Sequence, residues 1–203
     1  MNVKAAPATV PRIGWLALLV LHSCAKMSLL LGMPGTASQI FQTILLRSPN
    51  DLLTLNGMAF SAMRGGNLPL ALTYFDRVTE LSPASSNAHF NQAFVGEELG
   101  RLDDAERGFR AAIAIEAAMD RAWYGLGLVL VRQGRLEDAI VALKRNTQLQ
   151  PMSPFGWYQL ARVHADLTQA DEALAVIRHL KGFEPKFAAQ LERETGLHAE
   201  KLS

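Results

Sequence analysis

The side chains of this 203-residue chain that could do chemistry are five histidines, a single cysteine and four pairs of adjacent carboxylates. Imidazoles bind metal when two lie one helical turn apart or a cysteine pair joins them. His22, His89, His164, His179 and His198 are scattered along the chain without either spacing, so no metal and no cofactor is expected. Paired carboxylates serve acid and base catalysis only when their environments push their pKa values apart. Of Glu97-Glu98, Asp103-Asp104, Glu137-Asp138 and Asp171-Glu172, the last three recur at one spacing, which points to a structural role instead. Ser23 and Lys26 satisfy an S-x-x-K pattern without its companion motifs, and Gly125-Leu-Gly127 lacks the third glycine of a dinucleotide loop. No catalytic constellation emerges, and the chain is expected not to be an enzyme.

The elements that would position these residues follow a repeat. Ala71, Ala105, Ala139 and Ala173 stand 34 residues apart, with Pro83, Ala117, Pro151 and Pro185 twelve positions after them. The phase divides the chain into units 52–85, 86–119, 120–153 and 154–187. A unit of that length cannot bury its own apolar face, so copies must stack. In the third unit Trp123, Leu126, Gly127, Gly134, Ala139 and Pro151 fall at positions 4, 7, 8, 15, 20 and 32. Small residues at positions 8 and 20 allow close helix approach, Gly66, Gly100 and Gly134 suit left-handed turns, and the prolines end the second helix. On this register the recurring acidic pairs open the second helix, where carboxylates favour the positive end of the helix dipole. Residues 188–203 read as a polar C-terminal capping helix.

These marks resemble the tetratricopeptide repeat (TPR). The resemblance implies an all-α fold, a right-handed superhelical solenoid of helix-turn-helix repeats, that binds proteins rather than catalysing reactions. It also implies that the first helix of each unit lines a concave groove, with positions 2, 5, 9, 12 and 13 facing the ligand. Position 5 is Asn56, Phe90, Tyr124 and Tyr158; position 9 is Phe60, Phe94, Leu128 and Arg162. The groove is then expected to have an aromatic and apolar floor and a rim of Glu97, Glu98, Arg121, Arg132, Arg162 and Asp166. Its expected partner is a protein, through a peptide segment or an amphipathic helix. Asn91 and Arg121 match two of the five positions of the family's carboxylate clamp, but Asn56, Phe60 and Gly125 depart from the other three. In the second unit His89, Gln92 and Ala117 depart from the pattern, and in the fourth Thr168 replaces the turn glycine; both units are expected to be less regular.

Net charge is only +1, so no global field points to nucleic acid. Charge is unevenly placed, however. No Asp or Glu precedes Asp51, whereas Lys4, Arg12, Lys26 and Arg47 all do. Residues 1–23 have the layout of a signal peptide, with a basic leader and an apolar run from Ile13 to Leu21. Leu21, His22, Ser23 and Cys24 resemble the bacterial lipobox, with His22 atypical. That resemblance implies lipid on Cys24 and a TPR lipoprotein at the outer membrane, facing the periplasm, similar to those assisting pilus assembly (Tad/Flp pilus or type IV pilotin type) or secretion. Two alternatives stay open: a signal or anchor without lipid, and a first helix of a degenerate repeat in a cytoplasmic adaptor or secretion chaperone. The last follows from the phase, because Gly32, Ala37, Phe41 and Pro49 lie 34 residues before Gly66, Ala71, Phe75 and Pro83. Residues 24–51 are accordingly a partial repeat.

Overall fold

The computed structural model describes residues 14–199, and among them it shows eleven α-helices and no strand. They are α1 (Trp15–Leu30), α2 (Pro34–Arg47), α3 (Leu52–Arg64), α4 (Leu68–Leu81), α5 (Ser86–Glu98), α6 (Leu102–Ile115), α7 (Asp120–Arg132), α8 (Leu136–Leu149), α9 (Pro154–Asp166), α10 (Ala170–Phe183) and α11 (Pro185–Thr195). Two compact units divide the chain, one up to Pro83 and one from Ala84. Helix starts follow local chemistry. The Asp51, Asn67 and Ser85 side chains accept hydrogen bonds from the backbone N–H groups of Thr54, Leu70 and Ala88. The acidic pairs stand in the first turns of α6, α8 and α10.

One turn is used five times. Gly32, Gly66, Gly100, Gly134 and Thr168 all have positive φ, between 58° and 75°. Each time the N–H of the following residue reaches back to a carbonyl five residues earlier, as in Met33 to Ser28 at 2.8 Å and Gln169 to His164 at 2.9 Å. This left-handed closure satisfies carbonyls that a helix end leaves open. The fourth full unit keeps the same turn despite its threonine.

In the first unit, Ala25, Ala37, Phe41, Ile44 and Met58 form the core, with Leu18, Leu21 and Leu29 of α1 packed on it. The α1 helix is thus half of a helix pair, and Cys24 lies in its middle, exposed and free. His22 Nε2 donates to Asp51 Oδ2 (2.8 Å) and lies 2.9 Å from Thr54 Oγ1, tying α1 to the start of α3. The Asp51 carboxyl feels burial, which raises its pKa, but the Thr54 hydroxyl and N–H and the His22 ring outweigh this and hold it below the ordinary value.

In the second unit α5–α6, α7–α8 and α9–α10 are successive pairs, α5, α7 and α9 neighbour one another in turn, and α11 packs on α9 and α10. Ala105, Ala139 and Ala173 are completely buried, as their register requires. A further close approach recurs: a Cβ on Gly125 would come within 2.5 Å of the Phe109 ring, and one on Gly57 within 2.9 Å of the Phe41 ring. Both phenylalanines lie sixteen residues before their glycine, so the aromatic at position 24 is seated against a bare backbone in the next unit.

Candidate functional site

Eight of the residues expected in the groove lie on α5, α7 and α9 of the second unit, with Phe90 and Phe94 on α5, Tyr124 on α7 and Tyr158 on α9. Phe90 and Phe94, one turn apart on α5, stack with centroids 6.3 Å apart. Behind them Phe109 of the core meets Phe90 at 5.7 Å. The Arg121 guanidinium on α7 lies 4.5 Å above the Phe90 ring and donates to the Asn87 side chain. Tyr124 and Leu128 are half-buried on α7, and Asn91 is half-buried on α5. Burial pushes the Tyr124 phenol above its ordinary value, opposed by a hydrogen bond with Gln159.

On α9 Tyr158 packs edge-on against Phe187 at 5.8 Å, and the Arg162 guanidinium lies 6.0 Å from the Tyr158 ring. Beside them is an open recess of ≈380 Å³ lined by Arg162, Ala165, Asp166, Glu194 and Thr195, within the about 300–1,000 Å³ of ligand sites. Asn56 and Phe60 belong to the first unit. There the Asn56 amide donates to the Leu52 carbonyl at 2.8 Å, and Phe60, 46% exposed, meets Phe75 edge-on at 5.3 Å.

Two features differ from the sequence expectation. Glu97, expected on the rim, is only 9% exposed. Arg132 covers it, donating to its backbone carbonyl at 2.9 Å and standing 3.5 Å from its carboxylate. Burial raises the Glu97 pKa, with Arg132 opposing. The second feature is the capping helix, which reaches the face itself. The Tyr158 hydroxyl donates to the Glu194 carboxylate, and Gln190 donates to both the Tyr158 oxygen (3.1 Å) and Glu194 (2.8 Å). These bonds hold the Glu194 carboxyl below its ordinary value. The four-residue spacing of Gln190 and Glu194 was the available signal, one polar face of a helix following an aromatic one.

Chemically the face offers ring surfaces with guanidinium groups beside them, which suits apolar side chains and carboxylates. Among the described residues no three His, Cys, Asp or Glu side chains gather in a metal-holding group. The family model of the tetratricopeptide repeat matches residues 57–119 and 97–151. These segments carry tetratricopeptide repeats. The fold is a TPR-like helical solenoid, as in known TPR structures. MamA from Desulfovibrio magneticus RS-1 is 23% identical, with a TM-score of 0.72 over 87% of this chain and 95% of that one. YrrB, described as a TPR protein with an unusual peptide-binding site, is 14% identical, with a TM-score of 0.73 over 83% and 88%. A tetratricopeptide repeat protein from Parabacteroides merdae is 16% identical, with a TM-score of 0.77 over 88% and 73%. No curated protein matches at the level of sequence.

Proposed function

We propose that this protein is a non-enzymatic interaction scaffold, and that the first-helix face of its second unit captures a peptide or amphipathic helix carrying apolar anchors and a carboxylate. The observation that carries the reading is that successive first helices bear Phe90 and Phe94, Tyr124, and Tyr158, with Arg121 set against the Phe90 ring and Arg162 near the Tyr158 ring. Aromatic and arginine side chains dominate binding energy in interfaces when they converge on one patch. TPR architecture supports the same reading at the level of the fold.

Panning a random peptide library on the wild type and on the Phe90→Ala/Tyr124→Ala/Tyr158→Ala variant tests it. Enriched peptides should contain aromatic and acidic residues and lose at least tenfold in affinity on the variant, a loss of about 1.4 kcal/mol or more, while its thermal midpoint stays within a few degrees. Peptides that bind both forms equally would place the site elsewhere.

Two settings suit such a scaffold. One is an outer-membrane lipoprotein of pilus or secretion assembly, which the lipobox-like stretch before Cys24 supports. The other is a cytoplasmic adaptor or secretion chaperone that keeps its first helix. The packing of α1 favours the second, because cleavage before Cys24 would remove Leu18 and Leu21 from the core and His22 from Asp51 and Thr54. The intact mass of the native chain separates them: a lipidated N-terminus at Cys24 supports the first, an unprocessed α1 the second.

A further inference from the structure

The inner face of α1 is occupied by the core of the first unit, yet its outer face is apolar too. Leu16, Leu19, Val20, Met27, Leu30 and Leu31 are between 55% and 74% exposed. Between Val20 and Met27 the exposed side chains are Ser23, Cys24 and Lys26, and the Ser23 hydroxyl is turned back to the Leu19 carbonyl at 2.9 Å. Trp15, 74% exposed, opens the helix. Isolated apolar side chains at a surface are ordinary; a cluster of this kind on one helix face marks an interaction surface.

Charge selects the occupant. Every ionisable side chain before Asp51 other than histidine and cysteine is cationic, and Lys26 stands exposed on α1 itself. A second copy docked on the same face would set one cationic helix carrying Lys26 against another, with no carboxylate in residues 1–50 to offset the charge. A lipid surface with anionic headgroups offers apolar depth and negative charge together. The helix has 16 residues, about 24 Å at 1.5 Å per residue, and no helix of the described residues is long and apolar enough to cross a membrane. It fits lying in the interface, with Trp15 at headgroup level and the Lys26 ammonium reaching out to the headgroups.

We propose that the outer face of α1 seats the intact protein on an anionic membrane surface, leaving the peptide-binding face to its own partner. The proposal rests on α1 being kept in the chain, and it needs no lipid on Cys24. It is tested with the purified full-length, unlipidated chain in flotation with phosphatidylcholine vesicles, with and without phosphatidylglycerol. The chain should float with the anionic vesicles, less well as salt rises, and weakly with neutral ones. Lys26→Gln should weaken binding about fivefold, the loss for one basic residue at such a surface. The Leu16→Glu/Met27→Glu double variant should abolish flotation with an unchanged thermal midpoint, since both side chains point away from the core. The Phe90→Ala/Tyr124→Ala/Tyr158→Ala variant should float like the wild type, so failure of the peptide reading and failure of this one are distinguishable. Equal binding to neutral vesicles would overturn the proposal, as would no flotation. So would a concentration-dependent dimer in sedimentation that the double variant loses, which would make the cluster a contact between copies.

Discussion

Glu97 stands at a register position that faces ligand in the repeat, yet its carboxylate is buried beside Arg132. Register gives the direction in which a side chain leaves its helix, whereas burial depends on what the next helix lays over it; here the cover comes from a residue 35 positions later. The consequence is a pH dependence of known sign. Because burial raises the folded pKa of Glu97 above its ordinary 4.5, the stability it contributes is fully present below that value and is lost as pH rises through the folded pKa. Glu97→Gln should therefore flatten the fall in thermal midpoint above pH 4.5 relative to the wild type; parallel curves would refute the assignment. Asp51, whose pKa is lowered, acts in the opposite direction at lower pH and is common to both proteins, so it drops out of the difference. His22 was legible only as the residue that spoils a lipobox. Its bonds to Asp51 and Thr54 depend on the packing of α1 and could not be read from spacing.

At the scale of elements, the turns were the most legible part of the chain, because a left-handed residue closing a helix is a local requirement that glycine meets without strain. Thr168 is the departure, at φ 58° where the equivalent residues are glycine. A side chain with a Cβ in that region costs roughly 1–2 kcal/mol. Thr168→Gly should accordingly stabilise the protein by about 1 kcal/mol after the added chain entropy of glycine is counted, seen as a higher midpoint in denaturant with unchanged slope. A lower midpoint would mean that the threonine side chain makes a contact worth more than the strain. The α1 helix was less legible than the turns. Its residues are apolar on every side, a pattern shared by an export signal, a buried helix and a membrane-facing one.

For the molecule as a whole, Phe90, Asn91, Phe94, Arg121, Tyr124, Leu128, Tyr158 and Arg162 share one compact unit, whereas Asn56 and Phe60 belong to the other. The second unit has its own two clusters of buried side chains, around Phe109 and Leu130 and around Leu160 and Ile177. A fragment of residues 84–203 should therefore fold cooperatively and retain the peptides selected by the full chain within about threefold of their affinity. Loss of capture by a folded fragment would assign an essential contact to the first unit. By itself the sequence determined what is local or periodic: the helix pairs of four units are spaced by a repeat whose phase is set by small residues, turn glycines and prolines, because each of these answers to backbone geometry within a few residues. Only the tertiary structure decided what depends on neighbours 29 or more positions away. It buried Glu97 under Arg132, brought Gln190 and Glu194 to Tyr158 and bound His22 to Asp51, since a side chain's surroundings are set by which helix packs over it and not by its own place in the period.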